Sequence, residues 1–183
     1  NLNFDCASTV TYNGTQNPQT ILPTISTNTY GNLIMTGGAK LGGTATYGQD
    51  VYLCGNFALT GGNLNMYANA GAVYMTSLTA TATYGGGTGN EEVEGRFNRA
   101  TGTGAGSYTF NNRNSIVTLL ADVDNPANIE MIVRPGVAPN NYDNTRDLNR
   151  KINLAYLGGT GNDFEFELRV GYTENDRTNW NAP

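Results

Sequence analysis

The chain has 183 residues, 38% of them hydrophobic and only 14% charged, with a formal net charge of −5. That length suits one substantial domain or two small ones sharing a core, and a chain so rich in aromatics and so poor in charge is not disordered. Ten scattered basic residues exclude a phosphate-binding face, the lack of histidine removes Ser-His-Asp and Cys-His chemistry, and no apolar run is long enough to span a bilayer.

The chain opens on a short amphipathic strand. In NLNFDCAS, Leu2, Phe4 and Cys6 alternate with Asn1, Asn3 and Asp5, the period of a strand with one apolar face. The start at Asn1 rather than Met is the start expected once an export signal has been removed. Cys6 and Cys54 are the two cysteines. In an exported protein they pair, closing a loop of roughly 50 residues at a gain of about 4 kcal/mol on the chain-entropy account. The alternative is two buried free thiols. In the same oxidising setting, Asn13 in the tripeptide NGT is a candidate glycan acceptor.

A repeat follows. The doublets Gly37–Gly38, Gly61–Gly62 and Gly85–Gly86 are offset by 24 residues, and one step back lies the turn dipeptide Asn13–Gly14. Each closes a strand-like run: STVTY, NLIMT, NFALT and ATATY. Leu33 and Met35, then Phe57 and Leu59, hold alternate positions and so share a sheet face. A fixed period of this size predicts a short β-solenoid, with the doublets at the corners and the runs as stacked rungs. Evenly spaced hairpins are the competing reading, so residues 1–89 are expected to be solenoid-like or at least sheet-rich.

The texture changes after GGGTG at residues 85–89. Residues 90–183 hold about six strand patterns at sandwich-like spacing: EEVEGRFNRA, GSYTFNN, SIVTLLADV, NIEMIVRPG, RKINLAYLGG and DFEFELRVGYT. The last alternates Phe164, Phe166, Leu168 and Val170 with Glu165, Glu167 and Arg169, which predicts an antiparallel strand with one wet side. The fold class expected is all-β with almost no helix: a solenoid-like half packed on an antiparallel β-sandwich, forming one continuous unit.

Little in the sequence carries chemistry, and the chain is read as a non-enzyme without cofactor or metal. The carboxylate pairs Glu92/Glu94 and Glu165/Glu167 fall on the polar sides of their strands, where solvated faces are expected rather than glycosidase machinery. GTGAGS at residues 102–107 precedes a strand pattern and not the helix that a phosphate loop needs. The oxygen-rich stretches at residues 122–128 and 140–147 match no calcium-loop pattern and suit turns. Arg99 and Arg150 share the parity of apolar neighbours, so each either finds an internal partner or reaches out at a strand end.

Several stretches, in order, resemble secreted cell-surface proteins of the Bacteroidota and their relatives. These are TVTYNGTQNPQTILPTISTNTYGNLIMTGG, GNFALTGGNL, VEGRFNRATGTGAGSYTF, IVRPGVAP, LNRKINLAYL and FELRVGYTEND. The resemblance implies export to the bacterial cell surface and a structural or adhesive role. Its large members carry a C-terminal sorting domain, which this sequence does not show before Pro183. Open β-structure leaves strand edges for a neighbour to pair with. The leading expectation is therefore a subunit of an extracellular filament or pilus. It would polymerise head to tail with copies of itself by donating a strand from one end, with Leu2 and Phe4 or else Trp180 as anchors. The alternative is a monomeric adhesive module whose aromatics stack on surface glycans.

Overall fold

The structure is a computed structural model that describes residues 4–16, 18–42, 50–85, 91–102, 104–120, 125–137, 150–158 and 164–172. The four runs that precede the glycine doublets form one parallel sheet in the order β1 (Thr9–Tyr12), β3 (Asn32–Met35), β6 (Phe57–Leu59), β9 (Ala82–Tyr84). Leu33 stands opposite Phe57 and Met35 opposite Leu59, and all four side chains are fully buried. A second parallel face runs β2 (Gln19–Ile21), β4 (Lys40–Gly42), β7 (Leu64–Asn65) and then the start of β10 (Val93–Ala100). A third runs β5 (Val51–Leu53), β8 (Ala72–Met75) and the rest of β10, with Tyr30 joined to Leu53 by a single parallel bridge. The chain winds through the three faces in turn, so residues before β10 build a β-solenoid rather than a row of hairpins.

The repeated GN and GG dipeptides are explained by stacking. Asn32 Oδ1 accepts from the Asn56 amide at 2.8 Å, and Asn56 Oδ1 accepts from the Thr81 amide at 2.8 Å. This side-chain ladder supplements the backbone ladder at each entry to the first face. At the following corner a Cβ on Gly61 would lie 2.4 Å from the carbonyl oxygen of Gly37 in the coil below. Gly61→Ala is therefore expected to push adjacent corners apart and to cost about 1–3 kcal/mol, the usual range for overpacking. The check is a urea unfolding midpoint, and an unchanged midpoint would mean that the corners are not in contact.

β10 converts the solenoid into antiparallel structure. Val93 and Glu94 pair with β7, whereas Arg96 to Arg99 pair with β8 on another face. The strand turns between these faces at Gly95, whose φ of 116° suits glycine far better than any L side chain. The other edge of β10 pairs antiparallel with β13 (Asn128–Pro135), which pairs with β14 (Arg150–Leu157). Opposite lies a three-stranded antiparallel sheet in the order β11 (Gly106–Thr109), β12 (Ile116–Leu119), β15 (Phe166–Arg169). Rings link the two halves: Tyr84 to Phe57 at 5.9 Å, Phe57 to Phe97 at 5.6 Å and Phe97 to Phe110 at 6.2 Å. One hydrophobic cluster thus runs from Ile21 and Leu33 in the coils to Val117 and Val133 in the sandwich. A 3-10 turn at Tyr67–Asn69 is the only helical element among the described residues.

The buried charges correct one expectation. Glu92 is not on a solvated face. Its side chain and that of Arg150 are each 1% exposed, and the guanidinium grips the carboxylate through two nitrogens. Asn112 adds a third donor to Glu92 at 2.9 Å. Sequence parity set Arg150 on the apolar side of its strand and left open an internal partner or an outward reach; it could not supply the partner, because Glu92 lies far away along the chain. Glu94 is half-buried and accepts from Asn63 at 2.8 Å, whereas Glu165 and Glu167 face solvent as expected. Arg99 is buried too. It donates to the carbonyls of Thr109, at 2.8 Å, and of Ala80, and lies 5.4 Å from the centre of the Tyr108 ring. Burial lowers its pKa below the usual arginine value. Its two carbonyl partners belong to the two halves of the fold, so Arg99 ties the last coil to the sandwich.

Candidate functional site: an open seam between two edge strands

Two outer strands of the sandwich, β14 and β15, border one seam. Each is the outer strand of its sheet, since β14 pairs only with β13 and β15 only with β12 among the described strands. Their inner faces follow from register, because residues directly opposite in a ladder share a side. Tyr156 stands opposite Ile129, Leu154 opposite Met131 and Ile152 opposite Val133. Phe166 stands opposite Leu119 and Leu168 opposite Val117. The β12 and β13 partners are buried, yet Tyr156 is 51% exposed, Phe166 42% and Leu168 44%. The apolar face read from the alternation of residues 164–170 thus exists, but the described residues leave it partly exposed.

The seam has definite ends. At one, Tyr156 packs edge-on against Phe164 at 5.3 Å, and Phe164 lies 5.8 Å from Phe166. Between them and the inner layer is a recess of about 110 Å³ lined by Val117, Ile129, Leu154, Tyr156, Phe164 and Phe166. At the other end the Gly171 amide donates to Ser115 Oγ at 3.2 Å, Arg169 donates to Asn114 at 3.2 Å, and the Glu92–Arg150–Asn112 cluster closes the base. Between these ends Leu168 and Val170 present apolar surface to solvent. Between these ends the described wall residues carry no charge. Glu165, Glu167 and Arg169 alternate with them on the opposite face of β15. An uncharged trough flanked by two free strand edges can take up an extended chain: the edges supply backbone hydrogen bonds, and alternate side chains of the guest fill the trough.

The residues singled out from the sequence are distributed differently. Cys6 and Cys54 form a disulfide, with Cα atoms 5.4 Å apart. Phe4 stacks on Tyr30 at 5.1 Å, and the Tyr30 hydroxyl is bonded to that of Tyr12 at 2.8 Å and to the carbonyl of Leu22 at 2.8 Å. Burial, and then the Tyr12 bond, raise the Tyr30 pKa far above the ordinary phenol value. This cluster lies beside the open end of the first coil, and the disulfide fastens it to the second. Asn13 is exposed at the corner after β1. Leu2 and Trp180 lie outside the described residues, as do residues 140–147 and residues 122–124 of the 122–128 stretch. Among the described residues no group of three or more His, Cys, Asp or Glu side chains is placed to hold a metal.

Sequence reasoning passed over Lys40. Its side chain is 1% exposed and its ammonium donates to the carbonyls of Thr36, Gly38 and Gly14 at 2.7, 2.5 and 3.3 Å, tying one corner to the corner below. Burial lowers its pKa. A signal was available: Lys40 is the only Lys or Arg before Arg96. A lone cation two residues after a corner doublet suits the oxygen-rich interior of a turn.

The architecture defines a class, a short β-solenoid that runs through a shared strand into an incompletely closed antiparallel sandwich. Comparison with known proteins adds no further identification, since no family model, curated protein or solved structure matches the chain.

Proposed function

We propose that this protein is a structural subunit of an extracellular filament or pilus, and that copies join head to tail by adding a strand from one to the seam of the next. The carrying observation is that seam: among the described residues the inner faces of β14 and β15 are apolar, lie at unpaired strand edges and stand partly exposed. In a self-sufficient module, closing such a face would be worth about 25 cal/mol for each Å² of apolar surface removed from water, and exposed apolar edges invite association. A contact between two unlike surfaces does not close on itself and so propagates. The disulfide suits an oxidising compartment, and among the described residues no helix is long and apolar enough to cross a membrane. The resemblance to secreted Bacteroidota surface proteins points to the same location.

Leu168→Asp tests the reading. Leu168 is already 44% exposed, so the variant should unfold within about 0.5 kcal/mol of the parent, as surface substitutions usually do. A charge in the trough should nevertheless block strand addition. The expected result is a folded monomer by light scattering where the parent forms fibres visible in electron micrographs. Fibres of normal length from the variant, or a parent that stays monomeric at high concentration, would defeat the reading.

A further inference from the structure

The seam identifies which part of a neighbouring chain would enter it; the inference rests on the strand-addition reading above. Two segments of this sequence have the alternation a guest strand needs. The first is NLNFDC, but Phe4 is already stacked on Tyr30 and Cys6 is bonded to Cys54. The amide of Ser8 and the side chain of Asn32 also hold the carbonyls of Asp5 and Ser8. Drawing this segment out would break the cluster at the end of the solenoid. The second is TNWNAP, which follows β15. Thr178, Trp180 and Ala182 alternate there with Asn179 and Asn181, and residues 178–182 carry no charge. An uncharged guest strand with one aromatic anchor matches an uncharged trough whose recess has three aromatic walls, Tyr156, Phe164 and Phe166.

Among the described residues no segment of the same chain occupies the trough, and the head-to-tail reading takes the guest strand from a second copy.

We propose that residues 178–182 of a second copy form the inserted strand, with Trp180 seated between Tyr156, Phe164 and Phe166. Each subunit would then receive a strand beside its own β15 and pass on the segment that follows it, which is the unlike pairing that an open polymer requires.

Trp180 is the only tryptophan, so its fluorescence reports its own burial. The test compares emission from the full chain at increasing concentration with filament length in micrographs, for the parent and Trp180→Ala. A synthetic peptide of residues 173–183 is then titrated into Trp180→Ala protein, with Trp180→Ala/Leu168→Asp protein as control. The expected result is solvent-like emission from the dilute monomer and a blue shift that tracks polymerisation. The critical concentration should rise about tenfold or more in Trp180→Ala, as on losing an aromatic anchor. Peptide emission should shift only with an intact seam. Filaments whose tryptophan stays solvent-like, or a seam that leaves the peptide unshifted, would overturn this assignment and leave strand addition standing with another donor. Emission blue-shifted at every dilution in a monomer would mean self-insertion and would overturn it as well. A parent chain that never polymerises would remove the underlying reading.

Discussion

Replacing Glu92 with Ala should lower the unfolding free energy by about 3–5 kcal/mol, the cost of stranding one member of a buried ion pair. That is a large share of the roughly 5–15 kcal/mol that holds a typical domain together. The reason is local and electrostatic. The Arg150 side chain is 1% exposed, so without the carboxylate the guanidinium stays buried with a major partner gone. The loss should be felt at a particular joint. Glu92 stands just before β10, Arg150 opens β14, and Asn112 belongs to the turn before β12. Removing the carboxylate loosens the base of the seam where both sheets meet the solenoid. Equilibrium urea unfolding measures the cost. The double variant Glu92→Leu/Arg150→Met is expected to recover most of it, because a buried apolar pair avoids the desolvation of both ions. If Glu92→Ala unfolded like the parent, the pair would not be the buried lock described above.

Breaking the Cys6–Cys54 bridge is expected to cost about 4 kcal/mol on the chain-entropy account. The bond joins residues 48 apart in sequence, so its loss frees a long segment of the unfolded chain. The effect should be uneven. The first coil has a neighbour on one side only: β1 is the outer strand of its sheet and β2 the outer strand of another. What holds its free end is the Phe4–Tyr30–Tyr12 cluster and the disulfide. Cys6→Ser/Cys54→Ser protein should therefore show faster amide exchange in β1 and β2 than in β10 and β13, alongside a lower thermal midpoint. Adding reductant to the parent should reproduce both changes. Equal exchange throughout the molecule would mean that the bridge acts on global stability and not on the solenoid end.

How far the sequence could be read depended on how local each determinant was. The doublets at Gly37, Gly61 and Gly85 and the alternation in NLIMT and NFALT are near-neighbour patterns, and they led to β3 and β6 and to a parallel stack. The alternation of residues 164–170 likewise marked the strand that contains β15. It did not show that Phe166 and Leu168 would stand 42% and 44% exposed, because coverage depends on where β14 ends up in another sheet. Parity set Arg99 and Arg150 on the apolar side of their strands and left open whether each finds an internal partner or reaches out at a strand end; it did not say that one would bind carbonyls and the other Glu92. The same reading set Glu92 in solvent, since it shares the parity of Glu94 opposite Val93, and its partner comes from a distant strand.

The amino-acid order alone pointed to the all-β class and, against a competing hairpin reading, to stacked corners, because both follow from spacing and side-chain type over a few residues. The tertiary structure alone decided that, among the described residues, two edge strands from different sheets would flank a partly exposed apolar trough. That outcome depends on strand order and on the meeting of sheets across the fold, and no short stretch of sequence encodes either.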